Sequence, residues 1–480
     1  MKRTFLQSAV AAALCALGAA HAAVAEKPST LADQQSVAVT IYNENLALIK
    51  DVRKIALDSG QNRLALREVS AQMRPETALL RSLSHAGALR LIEQNFDFDL
   101  LTPAKLLEKY VGREVRIVKT HPQTGTESVE TATVLAANNG VVLKIGDRIE
   151  TGLPGRIVYD GVPANLRDRP TLVTELASTR SGSQTMELSY LSAGLAWKAD
   201  YVAELNAKDD ALDLNGWVTL TNRSGTTYPD ARLQLVAGDV NRVRDELRLA
   251  AAGMARRASA DKPASEMTQE SLFEYHLYTL QRPTTIQNNQ TKQVALLSGS
   301  GVPVAKELVL QGNDYYYRSS IGHIGQKMKV GVFVQFENRE SSRLGMPMPK
   351  GIVRVYKKDS AGNAQFVGED RIDHTPKNER VRLKLGEAFD VTADKKQTDF
   401  KRRDSYSPWS TVHESAYEIV LRNAKKEAVT VAVREPVPGD WSMLEETQRH
   451  RKAAAGTAEW SIRVPAEGST TLRYRVLVRY

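Results

Sequence analysis

Two aspartates two residues apart, Asp97 and Asp99, are the first groups in this 480-residue chain whose type and spacing suggest chemistry. On one strand they share a face, and paired carboxylates serve acid–base exchange or cation binding. Both uses need further groups close by, and the sequence names none, so a solvent-facing strand edge accounts for the pair more simply. The eight histidines are His21, His85, His121, His276, His323, His374, His413 and His450. None has the i, i+4 or x-His-x-His spacing of a metal site, so no metal is expected. Asp373-His374 is the most suggestive neighbouring pair, yet adjacent strand residues face opposite sides and form no direct dyad. No Gly-x-Ser-x-Gly elbow, phosphate-cradling Gly/Lys loop or dinucleotide fingerprint occurs, and no cofactor is expected. The local pattern leans against an enzyme. A site assembled from dispersed carboxylates stays open.

Candidates for binding are better defined. Asp314–Arg318 reads as a strand, which places Tyr315 and Tyr317 on one face and Tyr316 on the other. Exposed rings there stack on sugars or pack against a partner. Asp239, Asn241 and Arg242 sit in the polar tail Gly238–Arg242 and have no packing role in the pattern. These five residues are the binding candidates. Glu435–Trp441 (EPVPGDW) reads as a rigid turn that holds Trp441 for structural reasons.

The elements that must position these groups are strands. Leu188–Val243 is the most densely patterned stretch, four strands in a row with turns at Ser192–Gly194, Lys208–Asp210 and Asn222–Gly225. In it Val218, Leu220 and Asn222 point one way, while Trp217, Thr219 and Thr221 point the other. Thr102-Pro103 opens a short helix, with Thr102 as N-cap and Leu106, Leu107 and Tyr110 facing inward. Five tight strands follow between residues 111 and 159. One pattern recurs: Val39-x-Ile41-x-Asn43, Val218-x-Leu220-x-Asn222, Val334-x-Phe336-x-Asn338 and Ile419-x-Leu421-x-Asn423. Asn suits a strand end because its side chain caps the backbone two residues on. The later copies lie 116 and 85 residues apart, near the ~100-residue repeat of an immunoglobulin-like sandwich. The fold class expected is therefore mainly β: several antiparallel β-sandwich-like domains plus a small SH3/Sm-like barrel insert. The expected divisions are 1–25 leader, 36–100 N-terminal β domain, 101–165 barrel, 166–243 sandwich part, 244–272 excursion and 273–480 C-terminal sandwich region. Within the excursion, Glu246–Arg257 has a weak helical pattern.

Residues 1–25 read as a secretory leader: Lys2-Arg3, then the apolar run Ala9–Ala20, too short to span a membrane. Small-x-small sites at Ala23–Ala25 and Ala20–Ala22 place cleavage after Ala25 or Ala22. With one arginine in Lys2-Arg3, the general secretory route fits better than twin-arginine export. The single cysteine, Cys15, lies in this leader, which leaves the mature chain with no thiol and no disulfide. The expected location is the periplasm. The formal charge is +9, or +7 without Lys2 and Arg3, which favours an anionic envelope polymer or a protein partner without naming one. No nucleic-acid partner is expected of an exported chain, and no transmembrane helix is expected after cleavage.

Several segments together resemble the family called domain of unknown function 4139. They are Tyr110–Lys119 (YVGREVRIVK), Leu153–Tyr159 (LPGRIVY), Leu188–Val202, Gly216–Val243, Glu274–Leu280 (EYHLYTL) and Glu435–Trp441. The resemblance runs from about Val37 to the C-terminus and implies an exported bacterial protein, with the mucoidy-inhibitor-like proteins as distant relatives. It carries over no catalytic or binding residue, and the coiled coil of those relatives is missing from this chain. Three functional readings remain. The first is a non-enzymatic cell-envelope binding or scaffolding protein. The second is an envelope-polymer hydrolase with dispersed carboxylates. The third is an outer-membrane β-barrel, suggested by alternating Leu472, Tyr474, Val476, Val478 and Tyr480 but opposed by only 6% aromatics, too few for two girdles.

Overall fold

The computed structural model describes residues 24–43, 45–138, 140–163, 166–238, 267–403 and 411–480. The leader up to residue 23, the helical pattern at Glu246–Arg257 and the candidates Asp239, Asn241 and Arg242 lie outside the described residues. Among those described, the chain is mainly β, in several sheets, and no helix is long and apolar enough to cross a membrane. Two compact units form: residues up to Ser36 with Lys50–Tyr190, and Val37–Ile49 with Leu191–Tyr480.

In the first unit, Gly60–Arg67 and Leu89–Asp97 flank Thr171–Ser178 antiparallel, and Glu26–Ser29 joins Gly60–Arg67 in parallel. The helix Pro103–Lys109 is capped as its sequence requires: Thr102 Oγ1 accepts from the Lys105 amide at 3.2 Å. Leu106, Leu107 and Tyr110 pack onto a small core of Val115, Ile117, Val134 and Leu143. The five strands expected after the helix form, but as an open sheet and not a closed barrel. Their order is Arg148–Thr151, Val142–Ile145, Glu127–Ala136, Glu114–Thr120, Arg156–Val158. Closure requires the two outer strands to pair. These are only four and three residues long, and Ile149 on one of them is 66% exposed, so that edge faces solvent.

The second unit contains three of the four expected strands of the patterned stretch, Leu195–Leu205, Ala211–Asn222 and Tyr228–Ala237, the first two paired in unbroken register, while the fourth, Gly182–Ser192, lies mostly in the first unit. Val218, Leu220 and Asn222 are buried, and Trp217 is half exposed on the other face, as the period-2 pattern requires. Tyr228–Ala237 pairs in parallel with Ala38–Tyr42 and antiparallel with Tyr275–Leu280. The stretch read as an excursion to residue 272 ends in a strand, Met267–Leu272, that completes this sheet. The 22-residue strand Gln290–Gln311 serves two sandwiches: its first part pairs with Ala211–Asn222, its last with His323–Asn338 and, in parallel, with Val429–Pro436.

The C-terminal sandwich has two layers. One runs His323–Asn338, Glu379–Arg403, Val412–Asn423, Gly468–Arg479, Asp440–Glu446. The other carries the end of Gln290–Gln311, then Val429–Pro436, Thr457–Val464 and Arg451–Ala454. Their inner faces share one core that includes Leu310, Val391, Ile419, Val431, Ile462 and Val476. Leu472, Tyr474, Val476 and Val478, which alternate as in a membrane barrel, all face this core at 0–2% exposure. Every sheet among the described residues is open.

The Asn-terminated repeat has a structural basis. Asn222 and Asn423 each end a strand and are buried. Asn222 Nδ2 donates to the Thr226 carbonyl at 2.9 Å and the Ile286 carbonyl at 3.2 Å, while Oδ1 accepts from the Ser224 amide at 3.0 Å. Asn423 repeats this with Glu427 at 2.8 Å, Pro465 at 2.9 Å and the Lys425 amide at 3.0 Å. Asn338 holds a longer loop by the same means, to Met346 at 2.9 Å, Pro376 at 3.0 Å and the Gly345 amide at 3.0 Å. Asn43 is only half-buried and, among the described residues, makes one long contact, 3.5 Å to the Gly238 carbonyl.

Candidate functional site

The most concentrated chemistry among the described residues lies between the layers of the C-terminal sandwich. Lys395 sits on the strand Glu379–Arg403 and Glu435 on Val429–Pro436 of the opposite layer. Their positions follow from period 2. Val391, Ala393 and Lys395 share the inward face of one strand, and Val431, Val433 and Glu435 that of the other. Lys395 Nζ lies 2.6 Å from Glu435 Oε2, and both side chains are 0% exposed. Tyr317 Oη donates to the same oxygen at 2.8 Å and lies 2.9 Å from Tyr474 Oη. Glu435 Oε1 is buried without a hydrogen-bond partner.

Aromatic rings enclose the pair. Lys395 Nζ is 4.4 Å from the Tyr316 ring centroid and 5.0 Å from that of Tyr417, within range of cation–π attraction. Tyr417 stacks on Tyr474, which in turn meets Trp460 at 4.8 Å. The loop after Gln311 closes the top. Its Gly312 amide donates to the Arg434 carbonyl at 2.8 Å, and a Cβ at 312 would stand 2.2 Å from Glu435 Oε2, so only glycine fits. Tyr417 Oη donates to the Tyr316 carbonyl at 2.6 Å, and Gln397 Nε2 to the Ser319 carbonyl at 3.1 Å, which fastens the loop to the sheet. Burial holds the Lys395 ammonium below its ordinary range, the neighbouring carboxylate opposing this. Burial pushes Tyr317 and Tyr474 well up, with the Glu435 charge adding to both, and lifts Tyr417 to about 12.

The first unit holds a contrasting buried pair. Arg53 directs Nε and Nη2 to Asp51 Oδ2 at 2.9 and 2.8 Å, and Nη1 to the Ser29 carbonyl at 2.9 Å. Gln34 Nε2 donates to the other Asp51 oxygen at 2.8 Å. Both oxygens are satisfied, as a structural ion pair demands.

The residues singled out by sequence go elsewhere. Tyr315–Tyr317 form a 3₁₀ turn, Asp314–Tyr317, and not a strand. Tyr315 is therefore 54% exposed, edge-on to Tyr316 at 4.6 Å, while Tyr317 is fully buried and bonded to Glu435. Tyr317 is not a surface binding residue, because a turn of period three replaces the alternation that paired it with Tyr315. Asp97 and Asp99 do not act as a pair: Asp97 binds Arg167 at 2.9 Å and Asp99 binds Lys109 at 2.9 Å. The Lys109 ammonium, with Lys105 close by, lowers the Asp99 carboxyl. Lys350 donates its amide to His374 Nδ1 at 3.2 Å. No three His, Cys, Asp or Glu groups among the described residues are placed to hold a metal ion. Trp441 is 6% exposed, with Nε1 donating to the Ala455 carbonyl at 2.9 Å, a packing role.

Both Lys395 and Glu435 were missed in sequence, although a signal existed: each is a charged residue on the apolar phase of its strand. The strand pattern bearing them falls in the part of the chain, residues 186–480, that matches the model of the family described as Domain of unknown function (DUF4139). The chain belongs to this family. The DUF4139 region begins inside the strand Gly182–Ser192 and contains both sandwiches' Asn latches at 222, 338 and 423 as well as the Lys395–Glu435 pair. No curated protein matches the chain.

Proposed function

We propose that this DUF4139 protein is an exported, non-enzymatic binding or scaffolding protein of the cell envelope, built from rigid β-sandwiches in series. The observation that carries the reading is the repeated Asn latch, which fixes strand ends at Asn222, Asn338 and Asn423 by the same main-chain bonds. Serial sandwiches with pinned loops hold surfaces at set positions, which suits holding a partner. The charged groups of the most concentrated cluster face one another in the sandwich core, with both side chains 0% exposed. The leader read at residues 1–25 and the cysteine-free remainder support export to the periplasm, and the surplus of basic residues supports an anionic envelope polymer as partner.

Expression of the full chain with a C-terminal tag in a Gram-negative host tests this. Osmotic-shock release, with a mature N-terminus at Glu26 or Ala23, is expected. The mature protein should co-sediment with purified sacculi and release no soluble fragments from them. Retention of Met1 in the cytoplasm overturns the export reading, and release of fragments restores the hydrolase.

A further inference from the structure

We propose that Lys395 and Glu435 condense to an amide, so that the two layers of the C-terminal sandwich are joined by a covalent cross-link. The geometry that points to this is an incomplete ion pair. Two opposite charges are sealed away from water, yet only one carboxylate oxygen is used, and both Lys395 Nζ and Tyr317 Oη converge on it. The other, Oε1, has no partner. A bare buried acceptor is costly, and so is an ammonium whose remaining donors meet only aromatic rings. The Asp51–Arg53 pair shows how this chain satisfies a buried ion pair that is only structural.

Condensation removes each of these costs. A C–O bond of about 1.23 Å places the Glu435 carboxyl carbon within about 3.8 Å of Nζ, and ordered contact of that kind supplies effective molarities of about 10⁵–10⁸ M. In the apolar pocket a proton passes from the Lys395 ammonium to Glu435 and rests on Oε1, leaving a neutral amine and a carboxylic acid whose carbonyl oxygen is Oε2. The Nζ lone pair attacks the carboxyl carbon, and Oε2 takes the developing negative charge against the Tyr317 hydroxyl, itself bonded to Tyr474. One Nζ proton moves to the Oε1 hydroxyl, the C–Oε1 bond breaks, and water leaves. Ammonium plus carboxylate become amide plus water, with no oxidant or other reactant. The unpartnered oxygen is the one expelled. The remaining carbonyl keeps the Tyr317 bond, and the amide N–H faces the ring of Tyr316. The link bridges opposite layers, where immunoglobulin-like domains place a disulfide, in a chain with no cysteine after Cys15.

The deciding measurement is a tryptic peptide map of the purified mature protein, with its intact mass. The expected result is a branched peptide in which Lys395 is uncut and joined to the Glu435 peptide, lighter than the two parts by one water. A mature N-terminal Glu26 can itself lose water by cyclising, so the branched peptide decides and the intact mass alone does not. Recovery of separate, unmodified Lys395 and Glu435 peptides overturns the proposal, whatever the intact mass. The Lys395→Met, Glu435→Leu double variant should give no branched peptide at these positions. Persistence of a cross-link there would assign it to other residues and also overturn the proposal.

Discussion

Replacing Asn423 with alanine tests the latch directly, and Asn43 provides an internal control. Asn423 is 2% exposed and its side chain makes three bonds, two to carbonyls and one from an amide. Each is worth about 1 kcal/mol net, and the stranded backbone groups of Glu427, Pro465 and Lys425 add desolvation cost where water cannot reach them. The expected loss is about 2–4 kcal/mol, or about 5–15 °C in Tm for a domain of this size. Asn43 has the same sequence context but, among the described residues, a single 3.5 Å contact, so Asn43→Ala should cost less than about 0.5 kcal/mol. Urea denaturation of both variants, followed by tryptophan fluorescence, gives the comparison. Near-equal effects, or a loss below about 0.5 kcal/mol at Asn423, would refute the claim that buried Asn side chains hold these strand ends.

Gly312→Ala should destabilise by about 1–3 kcal/mol in thermal melts, since its Cβ meets the Glu435 carboxylate in a packed core. Lys395→Met leaves Glu435 buried and unpaired and also removes the cross-link, so it should cost at least about 3–5 kcal/mol by urea titration, whereas the Lys395→Met, Glu435→Leu pair should recover only the unpaired-charge share and stay less stable than the cross-linked parent. Glu418 bridges Lys396 at 2.6 Å and Arg473 at 2.7 Å on the outer face, where both cations stay half exposed. Glu418→Ala should therefore change stability by less than about 1 kcal/mol, an effect that shrinks in high salt. Burial lowers the His276 imidazole, and its Nδ1 lies 2.7 Å from Gln269 Nε2, which can only donate. A depressed folded value means stability is present above the ordinary value of 6.5 and lost as pH falls through the folded one. Hydrogen exchange in Tyr275–Leu280 should accelerate as pH falls below 6.5, after correction for intrinsic rates, and His276→Gln should flatten that dependence.

Strand existence was readable where apolar residues alternate cleanly, as in Leu195–Leu205 and Ala211–Asn222, and the helix at Pro103 was readable from its cap and proline. Period 2 states which face a residue takes, but not how a sheet ends. That is why the five strands after the helix suggested a barrel when they form an open sheet. Tyr315–Tyr317 carry no alternation of polarity, so nothing local distinguished a strand from the 3₁₀ turn that hides Tyr317. Lys395 and Glu435 are 40 residues apart, on strands of different layers. Each was visible only as an inward-phase charge, and their meeting depends on the packing of one layer on the other.

The latch at Asn338 encloses a longer loop than those at Asn222 and Asn423, one that contains the extra turn Glu340–Ser342. All three grip main-chain atoms, and Asn222 adds one side chain of its loop, the Ser224 hydroxyl, which donates to its Oδ1 at 2.7 Å. The anchorage of a loop is thus largely uncoupled from its content. Residues can be inserted or exchanged between the grip points while the strand ends stay fixed, so these loops are where the fold can acquire new surfaces without renegotiating its core.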